Sequence, residues 1–400
     1  MTRRLQAGGL EFYQSRNAQD VDRAVAIAKG GSSRRQPVDK PEECATYLGT
    51  PLLKGGIPAM SDAYNPTIDV KRIHRACRST ANNVKLTKIL TSQEIQMLQV
   101  ACMNKLQKPL VDLVVSETSG RYQTGLALLA SGALAGDAYL LKKASKQKMD
   151  SRIRLALLTE ILVMRSKSDL VRLKEYVSAT QHRSLASIVN DAIRMMDASV
   201  QENLIEAFRL CMLTEEEVVE ESEVMSNVQT IKTFLEGGED VTVKKLLGVI
   251  LGCSLSHLRL LVDGYKTRFY GINLSQAIED SRDSRISPTL KEVLIHALLT
   301  AEHETKGAME GVVRDVRRIE TGLHDDYLLT VRLVRAHWNQ DRFRVLLAEW
   351  TKVRPESGHP VERVRKHTRC ALEALLVRVI QEAEPVPASS WLHRNIDKWL

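Results

Sequence analysis

The chain has 400 residues, enough to bury a large core in one to three domains. Aromatic residues make up only 4%, while Leu, Val, Ile and Ala are abundant, a profile that suits packed helices better than a β-sandwich. The net charge of +8 points to an acidic partner, such as nucleic acid, anionic lipid or the acidic face of a polymer like tubulin. Six scattered cysteines (Cys44, Cys77, Cys102, Cys211, Cys253, Cys370) form no C-x-x-C pair or spaced metal set, which fits a reducing compartment. Arg3 and Arg4 are followed by no apolar run, so no secretory signal is expected, and no stretch has the length of a membrane span.

Residues 1–65 read as an extended arm. Gly8-Gly9, Gly30-Gly31, Pro37, Pro41, Pro51, Gly55-Gly56 and Pro58 interrupt any long periodicity, leaving room for a short helix near Asp20–Ala28. Phe12, Tyr13, Tyr47 and Tyr64 punctuate the arm and are candidate anchors, docking on the body or on a partner. Helical periodicity then begins. Ile73, Ala76 and Cys77 share one face, and Leu86, Ile89 and Leu90 share another. Ser119-Gly120 separates two helices. Leu155, Leu158, Ile161 and Leu162 form a stripe further on. Six glutamates between Glu215 and Glu223 suit a solvated helix start. The fourth quarter is basic, with Arg317-Arg318, Arg342, Arg344, Arg354, Arg363, Arg365, Lys366 and Arg369. The tail beyond residue 382 carries Trp391 and Trp399, which suggest docking.

One pattern occurs twice. Ile161, Leu173, Tyr176, Leu185 and Asp191 are matched by Ile250, Val262, Tyr265, Leu274 and Asp280, at offsets of 12, 15, 24 and 30 from the leading Ile in both copies. Weaker copies flank the pair, so that Ile89, Ile161, Ile250 and Val334 lead four units 72, 89 and 84 residues apart. Such self-similarity marks a duplicated helical unit.

The units resemble annexin repeats. Ser116-Glu117-Thr118-Ser119-Gly120-Arg121-Tyr122 is similar to the S-E-x-S-G-x-F/Y signature of the first repeat. Leu158-Thr159-Glu160-Ile161 with Arg165-Ser166, Tyr176 and Leu185 resembles the second, and Ser256-His257-Leu258-Arg259 with Asp263 and Tyr265 the third. Asp325-Asp326, Val334 and Trp350 give a fainter fourth. The resemblance implies an all-α fold of four repeats, about five helices each, forming a curved disc with an extended N-terminal arm. The expected divisions are 1–65 for the arm, 66–133, 134–213, 214–305 and 306–382 for the repeats, and 383–400 for the tail.

The resemblance also implies calcium sites, each made of carbonyls from a G-x-G-T turn between the first two helices and an acid about forty residues later. Ca²⁺ takes six to eight oxygens, and glycines let a backbone turn its carbonyls inward. No two-glycine turn survives at Arg78–Asn83, Asp150–Ile153, Asp240–Val243 or Thr321–His324, although Gly237-Gly238 lies just upstream of the third. Glu117, Asp191 and Asp280 are vestigial acid positions, and His367 stands near the fourth. No metal or other cofactor is therefore expected, and helix capping is the plainer role for these acids.

No P-loop, dinucleotide fingerprint, H-E-x-x-H or G-x-S-x-G motif is present, so no catalytic residues are assigned and a non-enzyme is expected. Annexin relatives with degenerate calcium sites include the giardins, which serve the microtubule cytoskeleton of flagellated protists. That likeness, the positive charge and the arms lead to a calcium-independent structural protein of the cytoplasm and cytoskeleton, on the microtubules of a cilium or flagellum. Tubulin or another cytoskeletal protein is the expected partner, through Phe12, Tyr13, Tyr47, Tyr64, Arg363, Arg365, Lys366, Arg369, Trp391 and Trp399. The alternatives are a peripheral annexin that binds anionic phospholipid, with or without calcium, and a component of an RNA–protein assembly. No recognised motif aims the basic residues at nucleic acid.

Overall fold

Five helices recur four times. The computed structural model describes residues 46–48, 50–51, 66–78, 83–90, 95–213, 221–302, 311–353, 355 and 358–384, all within the unit Cys44–Leu400. The first group comprises α1 (Pro66–Arg78), α2 (Asn83–Leu90), α3 (Ile95–Leu106), α4 (Leu110–Glu117) and α5 (Gly120–Ser131). The second comprises α6 (Ala133–Ala144), α7 (Ser151–Leu162), α8 (Lys167–Gln181), α9 (Leu185–Arg194) and α10 (Ala198–Cys211). The third comprises α11 (Glu221–Leu235), α12 (Val243–Leu251), α13 (Leu255–Arg268), α14 (Leu274–Asp280) and α15 (Pro288–Ala301). The fourth comprises α16 (Val312–Gly322), α17 (Asp326–His337), α18 (Gln340–Val353), α19 (Pro360–His367) and α20 (Cys370–Ala383).

Local chemistry sets the helix starts. Side chains of Asp150, Ser166, Ser184, Asp197, Thr242, Ser254, Ser287 and Asp325 each accept a hydrogen bond from a backbone N–H of the first turn that follows. Pro288 adds a preset φ at the start of α15. Gly120 opens α5 at φ +66°, and Cys370 opens α20 at φ +56°. The two sit at matching places, since Thr118 and Thr368 just before them both donate to a carbonyl four residues back.

The doubled sequence pattern falls on equivalent helices. Ile161 and Ile250 sit in the second helix of their groups, Leu173 and Val262 in the third, and Leu185 and Leu274 in the fourth. All six are buried, so the shared spacing is a shared core. Groups one and four pack together through α5 against α17 and α20, and α2 against α20. Groups two and three meet through α10 against α12 and α15, and α7 against α15. A Cβ at Gly125 of α5 would come within 2.5 Å of Leu375 Cδ2 and 3.0 Å of Thr330 Cγ2, so glycine lets α5 approach α20 and α17 closely. No single helix among the described residues is long and apolar enough to cross a membrane.

A short antiparallel pair, β1 (Thr46–Tyr47) and β2 (Thr50–Pro51), packs on α8. Tyr47 is fully buried, and its hydroxyl donates to Asp137 Oδ2 at 2.9 Å. The Leu48 N–H reaches Asp169 Oδ1 at 3.3 Å. Tyr47 thus docks on the protein's own body, the first of the two roles open to it from sequence, and is not available to a partner.

Candidate functional site

In each of the last three groups, the connection between the first and second helices meets the end of the fourth helix or the connection after it. This is the place to which the annexin resemblance assigns calcium. In group two the connections are 145–150 and 195–197, because Asp150 caps α7 and residues 151–153 are already helical. Arg154 from α7 occupies the junction, only 1% exposed. Its Nε donates to Ala144 O at 2.8 Å, Nη2 to Lys146 O at 2.9 Å and Nη1 to Met195 O at 2.9 Å. Three carbonyl oxygens thus converge on a guanidinium. Burial lowers the Arg154 pKa from its ordinary value, with Asp150 opposing.

Group three repeats the arrangement with a different arginine. Arg285, from the connection 281–287, places Nη1 3.1 Å from both Gly238 O and Val241 O, and Nη2 3.2 Å from Phe234 O. Asp283 binds the same guanidinium through contacts of 2.5–3.0 Å. Arg285 also stacks over the Phe234 ring, 4.1 Å from its centroid. The hydrogen bonds from Arg285 hold the Asp283 carboxyl below its ordinary pKa against a smaller effect of burial. Gly237-Gly238 and an acid are therefore both present, but the oxygens are taken.

In group four the connection is 323–325, and Gly322 still belongs to α16. His324 and His367 meet edge to face, with ring centroids 5.0 Å apart. A shallow pocket there is lined by Arg121, His324, Asp325, Asp326 and His367. Asp325 is engaged as the cap of α17 and in an ion pair with Arg152 at 3.0 Å. In group one the corresponding connection, 79–82, lies outside the described residues.

The remaining sequence-derived positions divide cleanly. Glu117 is exposed at the end of α4. Asp191 pairs with Arg183 at 2.5 Å, and Asp280 accepts from Gln276 Nε2 at 2.9 Å. Among the described residues no group of three or more His, Cys, Asp or Glu side chains is placed to hold a metal. In groups two and three the donor set thus does not fit calcium: the carbonyls face guanidinium groups, and Asp191 and Asp280 are engaged elsewhere.

Arg363 is a correction. Its side chain is 3% exposed, pairs with Glu320 at 2.7 Å and lies 5.8 Å from the Trp350 ring centroid, while the Trp350 indole also donates to Glu320. It ties α19 to α16 and α18 rather than facing a partner. Arg365, Lys366 and Arg369 are exposed around the end of α19 and form a basic rim beside His367. Phe12, Tyr13, Tyr64, Trp391 and Trp399 lie outside the described residues. Sequence reasoning missed Arg154 and Arg285, whose one signal was a lone Arg near each junction.

No protein-family model matches the chain. Annexin C1 of Cryptococcus neoformans var. grubii is 24% identical over 348 residues, spanning 84% of this chain and 70% of the relative. Annexin III superposes with a TM-score of 0.65 at 16% identity, covering 80% of this chain and 94% of its own. Calcium-bound alpha-14 giardin gives a TM-score of 0.64 at 12% identity, covering 80% and 100%. The four groups of five helices are thus the annexin fold. In sequence the chain is similar to annexins over most of its length, and its fold is theirs.

Proposed function

We propose that this protein is a calcium-independent, non-enzymatic annexin-fold protein that binds an acidic surface. One observation carries the reading: Arg154 and Arg285 occupy the carbonyl clusters of two successive repeats. A fixed guanidinium supplies within the chain the positive charge that an annexin repeat takes from a metal. The partner is a cytoskeletal polymer, with microtubules of a cilium or flagellum as the specific choice. The net charge of +8 and the fold shared with alpha-14 and alpha-11 giardin support it.

A second reading is favoured by Arg365, Lys366 and Arg369, exposed beside the fourth junction. Basic side chains at that place suit direct attraction to anionic phospholipid, about 1 kcal/mol per Lys or Arg near the bilayer surface. Sedimentation decides between the two. The full chain is spun with polymerised microtubules and, separately, with phosphatidylserine vesicles, each with calcium or chelator. Pelleting with microtubules in chelator is the expected result. Pelleting with vesicles in chelator selects the lipid reading, and pelleting that requires calcium overturns both.

A further inference from the structure

A second feature lies away from these junctions, in the interior where groups two, three and four meet. A cavity of about 180 Å³ is lined by six arginines and only two carboxylates, Glu160 and Asp315. Asp315 alone faces two of the arginines, Arg314 at 2.6 Å and Arg342 at 2.5 Å. Glu160 lies 2.7 Å from Arg332 and 3.8 Å from Arg318. Outside the lining, Asp137 serves Arg335 and Arg165, and half-exposed Glu292 serves Arg318. Among the described residues, six guanidinium groups face four carboxylates, two positive charges in excess. Buried charge is ordinarily matched, because removing it from water costs several kcal/mol per ion.

His296 also lines this cavity and is 2% exposed. Neither ring nitrogen has a hydrogen-bond partner among the described residues. Burial pushes its pKa well down, and Arg314 and Arg318 add to the effect, so the ring is neutral at pH 7. A neutral imidazole offers one N–H donor and one acceptor nitrogen, and both are unanswered here. The His324–His367 junction already described takes no part. Solvent reaches the cavity at Asp315 and Arg342, whose side chains are 26% and 27% exposed.

We infer that this cavity is an anion site for a phosphate-class oxyanion, held by Arg314, Arg342 and Arg332 with His296 as a neutral hydrogen-bonding partner. The guanidinium fork matches phosphate oxygens in pairs, which favours an oxyanion over chloride. Hydrogen phosphate carries both acceptor oxygens and an O–H donor, so it answers both imidazole nitrogens. The cavity has room for such an ion with water. The anion cancels the charge surplus and joins the third and fourth repeats at one point. This inference does not depend on the calcium-independent reading of the junctions.

The test is thermal unfolding of the full chain in inorganic phosphate, pyrophosphate or glycerol phosphate against sodium chloride at equal ionic strength. The expected result is a saturable rise in midpoint of about 3 °C at a hundredfold excess over Kd. A response to inorganic phosphate identifies a free anion, whereas one confined to glycerol phosphate identifies a lipid headgroup. His296→Phe and Arg342→Gln are each read against their own chloride baseline, so a less stable variant remains informative. Both are expected to lose most of the rise. No oxyanion effect beyond chloride, or a rise undiminished in both variants, overturns the site.

Discussion

Arg154 and Arg285 present their guanidinium groups to carbonyl clusters at equivalent junctions of two repeats, although one reaches from α7 and the other from the connection before α15. The shared feature is the destination, not the position in the repeat. Carbonyls turned inward at a junction need a donor, since a buried unpaired acceptor costs about 1–3 kcal/mol. The two repeats meet that need with arginines from different positions in the repeat.

Removing the first of these donors should cost stability. Arg154→Met keeps the aliphatic packing and removes the guanidinium donor from three carbonyls, of which Lys146 O keeps the Met149 N–H, an expected loss of about 2 kcal/mol. Urea unfolding at neutral pH checks it. A loss below half a kcal/mol would mean that water satisfies the carbonyls equally well.

Arg285→Gly has a different expected outcome. It frees the carbonyls of Gly238 and Val241 together with the Asp283 carboxylate, and leaves the Phe234 carbonyl to the Gly237 N–H alone. Calcium is then expected to raise the unfolding midpoint of this variant at millimolar concentration and to leave the unmodified chain unmoved. An unresponsive variant would show that the backbone there cannot turn enough oxygens toward a metal.

Acid should unfold the protein in two stages. His296 has a folded pKa well below the ordinary 6.5, so the unfolded chain binds more protons below that pH. Its contribution is fully present above 6.5 and is lost as pH falls toward the folded value. Burial would raise the Glu160 carboxyl, but Arg332 and Arg318 outweigh it and hold it below the ordinary 4.5. Stability from Glu160 is therefore present above 4.5 and is lost as pH falls through its folded pKa. Glu160→Gln should cost about 3 kcal/mol at pH 7, with the difference shrinking below pH 4.5. His296→Phe should flatten the profile between pH 6.5 and 5. Urea midpoints across pH 3–8 measure both.

Gly125→Val places a branched side chain where a Cβ alone would meet Leu375 and Thr330. The expected cost is about 3 kcal/mol or more, from overpacking between the first and fourth repeats. At the matching helix starts, Cys370→Gly should stabilise by about 0.5–1 kcal/mol, because glycine adopts φ +56° without strain. Urea unfolding of both variants gives the sign of each effect.

The fold was legible because its signal is redundant. Ile161 and Ile250, Leu173 and Val262, and Leu185 and Leu274 each report the same core, and a chance match at every offset is improbable. The junction chemistry was not legible. The lost G-x-G-T turns are visible as absences, but an isolated Arg154 or Arg285 looks like any surface arginine until distant carbonyls are brought to it. The basic fourth quarter was misleading for the same reason. Arg318 and Arg342 line an interior cavity and Arg363 is buried against Glu320, whereas Arg365, Lys366 and Arg369 do face solvent. Charge in sequence does not say which side of a helix carries it.

Isothermal titration of calcium into the full chain tests the central claim most directly. With arginines in the carbonyl clusters, no saturable heat is expected up to millimolar calcium at neutral pH. Saturable binding at micromolar calcium in the unmodified chain would contradict the account, because it would require Arg154 or Arg285 to yield its place to the metal.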